Sequence, residues 1–279
     1  MALNLNVIGK KTDPVAFHYD KDRVILYALG IGAGIADLDF VYEKNLKVFP
    51  TFGVIPLMTP LFSFMSAAGL NMHAVLHGEQ KIILHKPVPA SGTLYTVTTC
   101  ESIYDKGDNG AVVNIAFQTK DDSGSLFFEN KTVIVDRSAG NFGGDRGPKA
   151  EKLDPPEKTA PDFRVEQKIH QDQAALYRLS GDKNPLHIDP AFAKEGGFDR
   201  PILHGLCTFG FAARAILRAA GVGDPARLKS YAVRFMNVVY PGDTLITEGW
   251  KVDPGRYIIR TSNQDGKVVL GNGSALIEQ

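Results

Sequence analysis

One short stretch of this sequence contains residue types that could activate a water molecule. It reads S-G-D-K-N-P-L-H and spans residues 180–187. Asp182 and His187 stand five positions apart in it, and a loop turn can bring such a pair within hydrogen-bond reach of one water. The stretch therefore indicates general acid–base catalysis of hydration or hydrolysis. Taken alone, an Asp and a His in one turn also fit a capping pair or a solvated loop.

Helix signals on both sides of this stretch indicate a short, defined loop. Gly181 suits the C-terminus of a preceding helix, because glycine adopts the backbone conformation that ends helices. Pro190 suits the first turn of the next helix, with Asp189 as its N-cap and nothing more. We therefore expect the polar side chains between these signals to be held in place.

A second candidate site lies at the start of an apolar helix. Gly205 follows His204 at the entry of the run from Leu203 to Ala220. The amide N–H of a residue in the first turn of a helix has no intrahelical acceptor, so the Gly205 amide could bind a developing oxyanion. Close helix packing is the alternative role for Gly205, and His204 alone is typical of a buried core histidine.

The chain repeats itself at an offset of about 150 residues, which predicts two similar halves. The segment D-K-D-R-V-I-L-Y-A-L in the first half corresponds to H-Q-D-Q-A-A-L-Y-R-L in the second, with the tyrosines at Tyr27 and Tyr177. Further along, T-L-x-T occurs at 93–96 and again at 244–247. We expect one half over residues 1–137, a linker rich in Gly, Pro and charge over 138–161, and a second half over 162–279.

Each half contains one apolar helix candidate followed by alternating strands. The helix candidates are P-L-F-S-F-M-S-A-A-G-L-N-M-H-A-V-L in the first half and the run from Leu203 in the second. The strands include A-V-V-N-I-A-F-Q-T-K and V-V-L-G-N-G-S-A-L-I. A nearly all-apolar helix must be buried on most sides. The pattern predicts an α+β fold in which antiparallel strands wrap round a central helix.

The acid–imidazole pair occurs in one half only. At an offset of 150, the positions that match Asp182 and His187 are Gly32 and Asp37. A purely architectural feature should occur in both halves, so this difference predicts one active site per chain and a first half that holds substrate. Gly30, Gly32 and Gly34 do not form a dinucleotide fingerprint, because their spacing is G-x-G-x-G and they follow a predicted helix.

Composition excludes several other classes of function. Lys+Arg and Asp+Glu both number 31, so there is no basic field to hold nucleic acid. Cys100 and Cys207 lack metal-ligand spacing, which favours a reducing compartment. We expect neither a secretory signal nor membrane insertion, because the chain lacks a long uninterrupted apolar run. Its end, S-A-L-I-E-Q, differs from the Ser-Lys-Leu type of peroxisomal address.

The segment from Ser180 to Gly210 resembles the hydratase 2 motif of the MaoC-like dehydratases. The whole chain is similar to the 2-enoyl-CoA hydratase 2 part of peroxisomal multifunctional enzymes, including Y-A-L-G-I-G, P-T-F-G-V and V-L-H-G-E-Q in the first half. The resemblance implies a double hot-dog fold, with two antiparallel sheets each wrapped around a long helix. It also implies conversion of trans-2-enoyl-CoA to (3R)-3-hydroxyacyl-CoA in fatty acid β-oxidation, without a metal ion or a redox cofactor.

The resemblance also implies roles for particular residues. Asp182 and His187 would be catalytic, Asn184 would orient them, and the Gly205 amide would bind the thioester oxygen. Acyl-CoA contacts are implied at His77, Gly78, Lys106 and Phe235, and Glu43 would have a supporting role. From the residues alone, a solvated turn lysine is an equally good interpretation of Lys106.

Two other classes of function stay open at this point. One is an acyl-CoA thioesterase on the same fold, and the other is a module that binds acyl-CoA without turning it over. The intact D-x-N-P-L-H string argues against a pure binder, which has no use for a water-activating pair. We also expect a homodimer, because hot-dog halves leave sheet edges that can pair; the alternative is that the two halves of one chain satisfy each other's edges. The resemblance implies a peroxisomal location; a cytoplasmic one is the alternative.

Overall fold

Strands with one face buried and one face exposed are the main element of the structure. In the segment Ala111–Lys120, for example, buried residues alternate with less buried ones along nearly the whole strand. This period of two is what a strand with one face on a core requires. The structure is a computed structural model that describes residues 3–149 and 151–278.

The two halves contain the same number of strands. In the first half the strands are β1 (Val15–Tyr19), β2 (Val75–Leu84), β3 (Gly92–Asp105), β4 (Ala111–Lys120) and β5 (Leu126–Asp136), and the α-helices are α1 (Lys21–Gly30), α2 (Leu38–Val41) and α3 (Met58–Ala67). In the second half the strands are β6 (Phe163–Lys168), β7 (Leu228–Phe235), β8 (Thr244–Asp253), β9 (Arg256–Asn263) and β10 (Val268–Ile277), and the α-helices are α4 (Gln173–Tyr177), α5 (Pro190–Glu195) and α6 (Gly205–Ala219). Short 3-10 turns lie at Leu5–Val7, Ile35–Asp37, Pro50–Val54, Gly107–Asn109, Arg178–Ser180, Pro185–His187 and Pro225–Arg227.

The strand order repeats between the halves, as the sequence offset predicts. The strands form one ten-stranded antiparallel sheet in the order β1-β3-β4-β5-β2-β7-β10-β9-β8-β6. Read from either outer edge, each half has the same topology: 1-3-4-5-2 in the first and 6-8-9-10-7 in the second. The predicted α+β double hot-dog is therefore confirmed, with one refinement: the two sheets join into a single sheet.

The join between the halves is the antiparallel pair of β2 and β7. Its register runs from Glu79 opposite Arg234 to Ile83 opposite Ser230. The Arg234 guanidinium donates to the Glu79 carboxylate at 2.6 Å across this pair. The backbone groups at the inner edge of each half are thus satisfied within the chain. The sheet ends at β1 and β6.

Helix α6 supplies much of the core of the second half. Eleven of its fifteen residues are buried, among them Phe209, Phe211 and Ile216. Tyr27 of α1 and Tyr177 of α4, the two tyrosines of the repeat, are fully buried and pack ring to ring at 6.1 Å. The helices of the two halves therefore share one hydrophobic core.

The apolar helix predicted for the first half is shorter than its sequence pattern indicates. Helix α3 ends at Ala67, and residues 75–76, which the prediction placed in the helix, begin β2. Gly69 adopts a φ of 70° just after the helix, and the Asn71 side chain accepts from the amide of His73 in the following turn. A left-handed glycine and an Asx turn end a helix whatever the hydrophobicity of the residues beyond.

The segment Pro50–Ala67 is long and apolar enough to cross a membrane, which the sequence analysis did not predict. It is 72% buried within the protein, as expected of a core helix. It combines the 3-10 turn at Pro50–Val54 with α3, and residues 50–54 are all buried. Its hydropathy is accounted for by burial in the protein interior.

Candidate active site

The loop between α4 and the 3-10 turn Pro185–His187 fixes Asp182 through backbone hydrogen bonds. The chain leaves α4 through Gly181, whose φ is 148°. Oδ1 of Asp182 accepts from the amide of Asn184 at 3.1 Å. Oδ1 of Asn184 in turn caps the 3-10 turn by accepting from the amide of Leu186, also at 3.1 Å. Asn184 therefore holds the local backbone, and Oδ2 of Asp182 is left to face His187.

Asp182 and His187 face each other without a direct hydrogen bond between their side chains. Nε2 of His187 is 4.0 Å from Oδ2 of Asp182. This distance is too long for a direct hydrogen bond, so a water between the two groups is the arrangement to expect. Nδ1 of His187 lies 2.9 Å from the carbonyl oxygen of Ile202 and must donate to it. In the neutral ring, Nε2 therefore carries a lone pair directed at the gap.

Burial keeps the His187 imidazole in its neutral form. The residue is 8% exposed, and loss of solvation lowers its pKa, while the Asp182 carboxylate acts in the opposite direction. A neutral imidazole can accept a proton from water, whereas an imidazolium cannot. The geometry and the protonation state therefore both suit a general base.

Gly205 is the first residue of α6, where N–H groups lack intrahelical acceptors. The fifteen-residue helix adds a partial positive charge at this end. A Cβ on Gly205 would stand 3.2 Å from the Phe235 ring, so this ring lies directly over the helix start. Close packing is therefore one reason for glycine at this position, and the role of its amide as an oxyanion donor stays a prediction.

A cavity of about 1070 Å³ is lined by every predicted site residue except one. Its walls come from both halves. Helix α3 contributes Met58, Leu61 and Met65, and the second half contributes Leu203 just before α6 and Leu206 in its first turn. Eight of the nine predicted residues line it, namely His77, Gly78, Lys106, Asp182, Asn184, His187, Gly205 and Phe235. Most of the lining surface is apolar, but charged side chains such as Arg137, Lys149 and Glu151 line the cavity as well, which suits an amphipathic ligand.

Glu43, the ninth predicted residue, does not line this cavity. It lies in an exposed bend after α2. Its predicted supporting role stays a prediction without a contact to the other candidate residues among those that the structure describes.

His77 and Gly78 are placed by an irregularity in the pairing of β2 with β5, between His77 and Glu79. A Cβ on Gly78 would approach the carbonyl oxygen of Val133 to 3.3 Å, so glycine allows the close approach of the strands. The His77 ring packs against Phe235, with centroids 4.8 Å apart. His77 thus connects the first half to the ring over Gly205.

A polar network behind His77, which its sequence context did not predict, supports this side chain. Oε1 of Gln80 lies 3.1 Å from Nε2 of His77 and accepts from the hydroxyl of Thr132. Nε2 of Gln80 donates to Asn130, whose own amide donates to the carbonyl of Gly53. Because the Gln80 oxygen is an acceptor, Nε2 of His77 carries the proton. Only the Gln in V-L-H-G-E-Q hinted at this network, and its partners lie 50 or more residues away.

His204 contacts both members of the candidate pair, which its sequence position did not indicate. Its ring stacks on His187 with centroids 3.7 Å apart, and its Nε2 lies 3.1 Å from the carbonyl oxygen of Asp182. Asp182, His187 and His204 each place a possible metal-ligand atom within 4.8 Å of the others. Nε2 of His204 donates to the carbonyl oxygen of Asp182, so in the neutral ring only Nδ1 of His204 has a lone pair.

The corresponding position in the first half is a structural ion pair. The Asp37 carboxylate lies 2.7 Å from the Arg218 guanidinium and 3.4 Å from that of Arg214, both on α6. Its side chain is 8% exposed. Where the second half has an imidazole beside a cavity, the first half thus has a carboxylate that anchors a helix. That the chain has one active site stays a prediction.

Sequence and structure comparisons place these features in a known family. Residues 17–138 match the MFE-2 hydratase 2 N-terminal domain, and residues 152–272 match the MaoC like domain. The chain is 43% identical to 3-hydroxyacyl-thioester dehydratase Y of Mycobacterium tuberculosis, over 98% of both chains. The chain belongs to the MaoC-like dehydratase family. The predicted resemblance is therefore confirmed.

Two further relatives connect this MaoC-like chain to larger enzymes and to a solved structure. It is 39% identical to the peroxisomal multifunctional enzyme type 2 of Mus musculus, over 96% of this chain and 38% of that protein. The crystal structure of a MaoC-like dehydratase from Phytophthora capsici superposes with a TM-score of 0.89 at 31% identity, covering 99% of this chain and 98% of the other.

Three histidines of this MaoC-like site predict a loss of stability in mild acid. Burial lowers the pKa of His77 to about 4 and also lowers those of His187 and His204. An unfolded histidine titrates near 6.5, so below that pH the unfolded chain takes up protons before the folded one does. We expect His77 alone to lower the free energy of unfolding by about 2 kcal/mol between pH 7 and pH 5, at about 1.4 kcal/mol per pKa unit, and His187 and His204 to add to this loss.

Urea unfolding followed at pH 7 and at pH 5 measures this difference. His77→Gln removes one of the three groups, so the variant should lose less stability over the same interval. Equal stability of the wild-type protein at both pH values would contradict the protonation states assigned above.

Proposed function

We propose that this protein hydrates trans-2-enoyl-CoA to (3R)-3-hydroxyacyl-CoA, and catalyses the reverse dehydration, in fatty acid β-oxidation. The observation that carries the proposal is the 4.0 Å gap between the lone pair of His187 and the Asp182 carboxylate, inside a large apolar cavity next to the Gly205 amide. Membership of the family supports the reaction class, and the hydratase 2 match in the first half supports the enoyl-CoA substrate.

The gap positions the attacking water. A water there donates one proton to Oδ2 of Asp182 and the other to Nε2 of His187. As the water oxygen bonds to the β-carbon of the enoyl group, one water proton passes to Nε2 of His187. The protonated His187 then delivers a proton to the α-carbon, which restores the neutral imidazole, and the second water proton stays on the new hydroxyl. The product contains all the atoms of substrate and water. General acid–base assistance of this kind contributes about 100- to 10,000-fold in rate.

The Gly205 amide stabilises the charge that this addition creates. When the β-carbon is attacked, electron density moves to the thioester oxygen, which becomes enolate-like. An amide donor at the start of a long helix is preorganised for that oxygen, so it binds the transition state more strongly than the substrate. The apolar walls contributed by α3 receive the acyl chain.

Turnover of a medium-chain trans-2-enoyl-CoA tests the proposal directly. We expect loss of the conjugated enoyl absorbance without release of free thiol, and a product that an R-specific 3-hydroxyacyl-CoA dehydrogenase oxidises. Release of thiol would instead identify a thioesterase. Tight binding with neither change would identify a module that only binds acyl-CoA.

Lys106 supports recognition of the CoA part of the substrate. Its ammonium lines the cavity, donates to the carbonyl oxygen of Arg146 and lies 5.5 Å from the Tyr104 ring. We infer that it also pairs with a CoA phosphate. Lys106→Ala should raise KM several-fold with little change in kcat, and KM should depend less on salt than in the wild-type protein.

Lys267→Ala, which removes an exposed lysine outside the cavity, is the matched control and should leave KM and its salt dependence unchanged. If KM is unaltered in Lys106→Ala, Lys106 does not bind the CoA phosphate and is a solvated turn lysine, the alternative that its sequence context equally allows.

Assembly and location complete the proposal. We infer a homodimer from the open edges at β1 and β6. Light scattering should give twice the mass of one chain, and the mass of a single chain would contradict the dimer.

We infer a peroxisomal location because the name of the Mus musculus relative includes the word peroxisomal. Activity that sediments with a peroxisomal marker supports this location, and activity confined to the cytosol contradicts it.

A further inference from the structure

His204 is the residue immediately before α6, and it is almost completely buried. Its ring lies between two others: the Tyr177 ring at a centroid distance of 5.0 Å and the His187 ring at 3.7 Å. Neither the family resemblance nor the proposed mechanism gives this side chain a task. Its contacts nevertheless reach both members of the candidate catalytic pair, Asp182 and His187.

The hydrogen bond to Asp182 fixes the tautomer of His204. A carbonyl oxygen can only accept, so Nε2 of His204, 3.1 Å from the carbonyl oxygen of Asp182, carries a proton. Burial and the neighbouring His187 lower the pKa of His204 well below its usual value, and the ring is neutral. Nδ1 is buried and has no hydrogen-bond partner in the described part of the chain. The single proton of the ring is therefore committed to the backbone of residue 182.

The two contacts act on the two sides of the water gap. The hydrogen bond restrains the peptide group from which the Asp182 side chain projects, while the stacked ring limits the tilt of the His187 imidazole. His187 is held from its other nitrogen by the carbonyl of Ile202. Within residues 3–149 and 151–278, His204 is the one side chain that donates to the Asp182 carbonyl oxygen.

We infer that His204 is a positioning residue that sets the 4.0 Å gap between Asp182 and His187, an inference that rests on the proposed function. Its Nε2–H contributes the larger part, because it holds the carboxylate side of the gap, and its ring provides a wall for the imidazole. The charged or titratable groups that surround it are Asp182 and Arg178 on the loop side, His187 across the stack, and Tyr177 on α4.

A matched pair of variants separates the donor from the volume of the side chain. His204→Gln keeps an N–H donor that can reach the Asp182 carbonyl, and His204→Met has nearly the same shape without a donor. We expect kcat of the Gln variant to stay within about tenfold of wild type and kcat of the Met variant to fall about 100-fold, since a misplacement of about 1 Å can cost that much. KM should change little in either, because neither variant touches the acyl or CoA contacts.

Equal kcat values in the two variants, whether high or low, would overturn the inference. They would show that the N–H donor, in which the two side chains differ, does not affect kcat. Circular dichroism and thermal unfolding establish that both are folded. If the Met variant does not fold, His204→Phe, which keeps the ring face and lacks the donor, takes its place in the comparison. Turnover by the wild-type protein in the same assay tests the proposed function separately, so its failure is distinct from failure of the inference.

Discussion

Asp182→Asn and His187→Gln should each lower kcat for enoyl-CoA hydration by about 100- to 10,000-fold while leaving the fold intact. Asn is nearly isosteric with Asp, but its amide is far less basic and cannot take up a proton from water. Gln replaces the lone pair of Nε2 with groups that cannot act as a base near neutral pH. Both positions lie in a loop whose backbone is held by the Asn184 cap, so the loss should be chemical and not conformational.

Asp189→Asn provides the matched control for this prediction. Asp189 is an exposed N-cap of α5, where its carboxylate accepts from the amides of Ala191 and Phe192. Asn caps helices about as well as Asp. The control should keep wild-type turnover, although it removes a carboxylate seven residues from Asp182. An Asp182→Asn variant that retains most of its rate would show that this carboxylate is not part of the water-activating pair.

The pH profile gives an independent check on the same pair. Because burial lowers the pKa of His187, the imidazole stays neutral below its usual range of about 6.5. We expect kcat/KM to fall on the acid side with an apparent pKa under 6.5, a value that belongs to the coupled pair and not to one residue. An acid limb above 6.5 would contradict the burial of a neutral base.

Gly205→Pro should lower kcat by about 100- to 1,000-fold, the usual effect of losing one oxyanion donor. Proline has no amide N–H, so the substitution removes the proposed donor itself. The first position of a helix accepts proline, and the ψ of 134° at His204 is the extended conformation that the residue before a proline prefers. The helix therefore loses no internal hydrogen bond.

Gly205→Ala is the control for the added side-chain atom. Both variants add a Cβ that would lie about 3.2 Å from the Phe235 ring, so both displace that ring by a similar small distance. Only the Pro variant lacks the donor. If the two variants have the same kcat, the Gly205 amide does not stabilise the thioester oxygen, and the charge must be stabilised by another group.

The sequence repeat predicted the architecture well because it reflects a physical constraint shared by both halves. An apolar helix and an alternating set of strands can bury their surfaces in only a few ways, and both halves use the same one. The strands at 111–120 and 268–277 have the predicted bounds. The predicted first apolar helix was too long, because apolar residues continue past Gly69 and Asn71 into the start of β2 at Val75 and Leu76.

The local part of the candidate site was predictable, and the long-range part was not. Asp182, Asn184 and His187 stand within six residues, so loop signals alone placed them together. The role of His204 depends on a stack and a hydrogen bond across 17 and 22 residues, and that of Gln80 on Thr132 and Asn130 in another strand. Such partners follow from sheet register, which a single sequence does not encode in any short window.

The pairing of β2 with β7 affects how activity depends on protein concentration and how far the two halves can diverge in sequence. Separate subunits that build a shared site fall apart on dilution, whereas covalently linked halves keep a high effective concentration of each other. Turnover per chain should hence stay constant down to nanomolar protein. In a dimer of identical subunits, every substitution occurs in both subunits. In this chain the two halves have separate sequences, so the first half can change where it faces the acyl chain without changing the water-activating residues of the second half.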